Sequence, residues 1–156
     1  MSPSHTSAAA PVIPALAPLY AALTPVADLA LRVAAGAFLM PHGAQKLFGW
    51  FGGYGLDATG QFFAAKLGLP PALALVAGLI EFAGGLALAL GLFTRVAATL
   101  AFGLLAVAVL QVHLAAGFFW TSGGYEYPLL WAILAGTYVV KGGGRYSLDA
   151  AIGREI

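Results

Sequence analysis

Six polar side chains stand within or near the ends of otherwise apolar stretches: Arg32, His42, Lys46, Glu81, Gln111 and His113. An ionised group at bilayer depth costs roughly 2.5–3.5 kcal/mol on insertion scales. Such groups therefore turn inward and pair, or they serve a function. Glu81 is the most informative, because it lies eleven residues from both Pro70 and Leu92. At about 1.5 Å per residue that is the middle of a helix drawn between them. Gly78, Gly84 and Gly85 lie on or beside its face, where another helix can approach. A carboxyl group so placed has two readings. It is a structural group, paired with Arg32 or hydrogen-bonded in the core, or it carries protons at a redox or transport site.

His42 and Lys46 are four residues apart and share a helix face. His113 is eighteen residues past Arg95, about 27 Å along a helix, and Glu126 opens the next apolar stretch. These four groups can meet at one depth. Histidine, lysine and glutamate can hold the carbonyl oxygens of a quinone and exchange protons with it. His42, Lys46, His113 and Glu126 are thus candidate quinone contacts, and Glu81, His42 and His113 are candidate proton-transfer groups. The same set also suits a polar network that fastens helices together at the wet edge of a membrane. No metal is expected: two histidines and a glutamate are adequate donors, but each comes from a separate segment. With no cysteine in the chain, disulfides, thiolate metal sites and dithiol relays are excluded.

The elements that position these groups are transmembrane helices. Of 156 residues, 61% are hydrophobic and 8% charged, against about 25% charged in a soluble domain. Lipid covers such a surface without a polar coat. A spanning helix needs about 20 apolar residues, and four candidates run Pro25–Phe48, Pro70–Leu92, Arg95–Phe119 and Tyr127–Val140. The expected fold is all-α, a four-helix transmembrane bundle over residues 25–141, with the lipid bilayer as its first partner. Its last helix is short. Between the first two spans, Leu56–Leu67 reads as a short amphipathic or re-entrant helix, because Phe63 and Leu67 share a face. The glycines Gly36, Gly78, Gly84, Gly85, Gly91, Gly103 and Gly136 are expected to let backbones approach closely.

Residues 1–24 read as a flexible Ala- and Pro-rich tail and 142–156 as a short polar one. No Lys or Arg precedes Arg32, so the positive flank of a signal peptide is missing. Arg95, Lys141, Arg145 and Arg154 fall on one side of the membrane, against Lys46 and Lys66 on the other. That bias puts both termini in the cytoplasm. Trp50, Phe51, Tyr54, Trp120, Tyr125 and Tyr127 then collar the outer edge, as interfacial anchors or as a ligand-stacking surface. A net charge of +1 without a basic cluster argues against nucleic acid.

Four stretches in order, GAFLMPHGAQKLFG from Gly36, EFAGGLALALGLFTR from Glu81, HLAAGFF from His113 and GGRYSLD from Gly143, resemble the DoxX family of small bacterial membrane proteins. The resemblance covers nearly all of the chain after residue 28. It implies a four-helix bundle in the bacterial inner membrane. It also implies association with membrane oxidoreductases, since the family takes its name from a thiosulfate:quinone oxidoreductase. Its recurring polar positions correspond here to His42, Gly43, Gln45, Lys46, Glu81 and His113. No haem, flavin or iron–sulfur motif accompanies them. The expected role is a membrane subunit of a quinone-linked complex. The competing roles are a noncatalytic subunit that docks or stabilises a larger complex, and a small transporter. Other membrane subunits, or further copies of the chain, are the expected protein partners.

Overall fold

A computed structural model describes residues 11–155, and among these the chain is all-helical. Eight α-helices follow in order: α1 Ala17–Ala37, α2 Leu39–Phe48, α3 Gly55–Phe62, α4 Leu73–Leu79, α5 Gly85–Leu90, α6 Thr94–Ala108, α7 Glu126–Lys141 and α8 Leu148–Ile152. Three stretches are long and apolar enough to cross a membrane: Pro14–Phe48, Leu73–Leu90 and Thr94–Ala116. At 16 residues, α7 measures about 24 Å, shorter than a hydrocarbon core of about 30 Å.

Several elements depart from a plain helix. Helix α1 begins at Ala17, within the segment expected as a flexible tail. Pro14 and Pro18 stand at first-turn positions, where a helix needs no N–H from them. The remainder of that tail, residues 1–10, lies outside the described residues. The span breaks at Phe38, between α1 and α2. Pro41 lies four residues after Ala37, so that carbonyl loses its helical donor there. The second span is α4 and α5 joined through a π-helical turn, Ile80–Gly84, which contains Glu81. The third continues from α6 into a second such turn, Val109–His113, holding Gln111 and His113. A third π turn, Phe63–Leu67, completes the segment after α3. Single π turns are rare and concentrate at functional positions.

The bundle is small inside and large outside. Its buried apolar residues are mostly alanine: Ala35, Ala77, Ala98, Ala101, Ala132 and Ala135 among them. Leu31, Leu75, Leu100, Leu110 and Ile133 point outward. Water would impose the reverse order. In lipid, association depends on close backbone packing, and alanine and glycine supply it. A methyl group on Gly36 would fall 2.2 Å from the Gly85 carbonyl oxygen, and one on Gly43 would fall 2.4 Å from the Phe82 nitrogen. These contacts set the antiparallel register of α1 and α2 on the second span. Gly84 and Gly103 are exceptions to the packing expectation. Gly103 has no neighbour within 4 Å, and only the Ile80 side chain approaches Gly84, at 3.9 Å.

The polar tail after α7 is folded onto the bundle. Asp149 on α8 is buried, and its carboxylate accepts from Phe93 N at 2.8 Å, Thr94 N at 2.9 Å and Thr94 Oγ1 at 2.6 Å. It thereby caps the positive end of α6. Burial pushes this carboxyl up, but the bonds from Thr94 and Phe93, aided by the Arg32 charge, hold it below the usual carboxylate value.

Candidate functional site

Lys46 and Glu81 form the centre of the site. Lys46 Nζ donates to both carboxylate oxygens of Glu81, at 2.6 and 2.9 Å. The pair is mostly enclosed, with the two side chains 26% and 11% exposed. Its geometry follows from glycine. Gly43, one turn below Lys46, lets α2 lie directly on Gly78 and Phe82, which carries Lys46 to the π turn. Glu81 stands eight residues into the Leu73–Leu90 span, near its midpoint. Beside the pair in sequence, Phe82 meets Phe48 edge to face at 5.5 Å, and Phe48 meets Trp50 at 4.9 Å. His42 lies one turn before Lys46, is exposed, and donates to no described residue.

The pairing of Glu81 with Arg32, one of the readings open in sequence, is not formed. Arg32 lies at the other end of the second span, where its Nη1 donates to the Leu88 and Ala89 carbonyls at 3.0 Å and its Nη2 to the Tyr146 carbonyl at 2.5 Å. The two antiparallel helices put residue 36 opposite residues 85 and 89, so Arg32 falls beyond reach of Glu81. It instead closes the negative end of α5 and ties the tail to it. Gly91, with φ +70°, is needed there, since a methyl group would lie 2.1 Å from Arg32 Nη1.

Nor does the expected outer set converge. His113 Nδ1 donates to the Gly123 carbonyl at 2.7 Å, and Glu126 Oε2 accepts from Trp120 N at 3.1 Å. Both brace the turn between the third span and α7, where Tyr125 N also donates to the Gly117 carbonyl at 3.0 Å. No hydrogen bond or ion pair among the described residues joins His113 or Glu126 to His42, Lys46 or Glu81. The structure thus separates one ion pair at a π turn from one braced loop. Arg32, which joins the end of the second span to the tail, and Asp149, which joins the tail to the start of the third, were the polar roles least visible in sequence. Their signals were a lone arginine in the first span and an acid in the Ser147-Leu148-Asp149 run, an N-terminal helix pattern.

The DoxX family profile matches residues 27–114, more than half of the chain. The chain belongs to the DoxX family. This DoxX protein is similar to a Bacillus subtilis (strain 168) protein named "Putative oxidoreductase CatD", with 34% identity over 105 residues, 67% of this chain and 72% of the relative. It is also similar to an uncharacterised protein of Haemophilus influenzae, with 35% identity over 122 residues, 76% and 85% of the two chains. No solved structure matches it. The matched region contains His42, Lys46, Glu81 and His113 and leaves out Glu126 and Asp149.

Proposed function

We propose that this DoxX protein is the membrane subunit of a quinone-linked oxidoreductase complex of the bacterial inner membrane. The Lys46–Glu81 pair carries the reading: a lysine near the end of the first span is joined to a carboxylate on a π turn at the middle of the second. Reducing a quinone requires electrons and protons together. The electrons come from a redox group on a partner subunit. The protons come from titratable groups beside the ring carbonyls. Lys46 Nζ and the His42 imidazole are donors of the right kind for those carbonyls, and Glu81 holds the ammonium ready. The name of the Bacillus subtilis relative supports an oxidoreductase role. The resemblance to the small subunit associated with thiosulfate:quinone oxidoreductase makes that enzyme class the first partner to examine. In this reading α7 is the fourth span, in locally thinned membrane, and both termini face the cytoplasm. Glu81→Gln or His42→Ala lowers quinone turnover per assembled complex, and unchanged turnover in both variants overturns the proposal.

A second reading rests on the same contacts. Both oxygens of Glu81 are satisfied by Lys46, as in a staple between helices. The protein is then a noncatalytic subunit that stabilises its complex. Deleting it lowers the amount of complex without changing activity per complex.

A further inference from the structure

A groove of about 390 Å³ lies where α7 ends and α8 begins, lined by Lys141, Gly144, Arg145, Ser147, Arg154 and Glu155 among others. Its carboxylates are already committed. Glu155 accepts from Gly143 N at 2.9 Å and from Arg95 Nη2 at 3.1 Å. Asp149, which also lines the groove, is spent on the start of α6. Lys141 is paired with Asp28. Arg145 and Arg154 have no ion-pair partner among the described residues. Arg145 is exposed and rests over the Tyr146 ring at 5.6 Å. The backbone amides of Gly144 and Arg145 donate to no described group, and Gly144 has φ +70°. Consecutive amides beside a left-handed residue make a concavity that receives anions.

The depth of the groove selects the anion. With α7 as the fourth span proposed above, its last residue, Lys141, marks where the helix leaves the apolar layer, and the groove opens there at headgroup level. From this placement we infer that the groove binds the phosphate of an anionic lipid headgroup, with Arg145 and Arg154 as its cationic contacts. The inference rests on α7 as a span and is independent of the quinone site on the π turn.

The test is native mass spectrometry of the whole protein, released from detergent with defined lipids. Dioleoylphosphatidylglycerol and dioleoylphosphatidylcholine are titrated separately, and inorganic phosphate is added as a third arm. The wild type retains phosphatidylglycerol in preference to phosphatidylcholine. Each arginine removed weakens that binding about fivefold, and Arg145→Ala with Arg154→Ala weakens it roughly 30-fold. Lys66→Ala, a change outside the groove, leaves it unaltered. Should the double variant not fold, Arg145→Ala alone gives the fivefold reading. Equal retention of both lipids, or full binding by the arginine variants, overturns the inference. Displacement of the lipid by millimolar phosphate overturns the lipid assignment and leaves a soluble phosphate as the ligand.

Discussion

Removing one member of the Lys46–Glu81 pair should destabilise the bundle more than removing both. Glu81→Gln leaves an ammonium group facing a π turn without its counter-charge, and Lys46→Met leaves a carboxylate there. Breaking a buried pair costs about 3–5 kcal/mol, whereas exposed pairs are worth roughly 0–1 kcal/mol. With side chains 26% and 11% exposed, the low end of the buried range applies, about 3 kcal/mol for each single change. Replacing both with apolar side chains of similar volume, Lys46→Met with Glu81→Leu, removes the orphaned charge and is about neutral. Unfolding in mixed micelles, followed by tryptophan fluorescence, measures all three. The reasoning predicts a double-variant loss well below the sum of the single losses. Losses that add to within about 0.5 kcal/mol would mean that the two groups do not interact, and the site as described would be wrong.

Gly43→Ala drives a methyl group to 2.4 Å from the Phe82 backbone nitrogen and should cost about 1–3 kcal/mol by overpacking. Gly103→Ala, with nothing within 4 Å, should be neutral or stabilising by the same unfolding assay. Asp149→Ala strips three bonds from the start of α6 and should cost about 2 kcal/mol. Because the folded carboxyl titrates below its ordinary value of 3.8, its contribution is present above that pH and is lost as pH falls through the folded value. Asp149→Asn should flatten this acid limb of the stability curve. The chain has no cysteine, so single cysteines at Thr121 and Arg154 report topology cleanly. Four spans predict labelling from opposite sides of the membrane, and labelling from one side would exclude α7 as a span.

Composition and hydropathy alone expose the spans, because lipid exposure demands long apolar runs and leaves few charges to explain. The same logic isolates Glu81, Lys46 and Arg32 as residues needing partners. It does not choose among them. Partner choice depends on the register of two antiparallel helices, and that register is set by Gly36 on Gly85 and Gly43 on Phe82, contacts between residues distant in sequence. The sequence leaves Arg32 as one possible partner of Glu81, while the actual register delivers Lys46. His113 and Glu126 share a depth, as their positions suggest, but a tight turn between them takes up both side chains. The tail is the largest surprise. A polar, glycine-rich segment reads as solvent-exposed, yet Asp149 and Tyr146 are tied into the bundle through helix ends that no local pattern reveals.

The central claim is that the Lys46–Glu81 site serves quinone chemistry in a membrane complex. The most direct test is quinone reduction by the complex extracted gently from its own membranes, normalised to the amount of complex by native mass spectrometry. Wild type is compared with Glu81→Gln and His42→Ala. Enough complex should still assemble to be assayed, with turnover per complex lowered about 10²-fold or more, the range for loss of a positioned proton-transfer group. Normal turnover per complex in both variants, or a complex that holds no redox partner and no quinone, would contradict it.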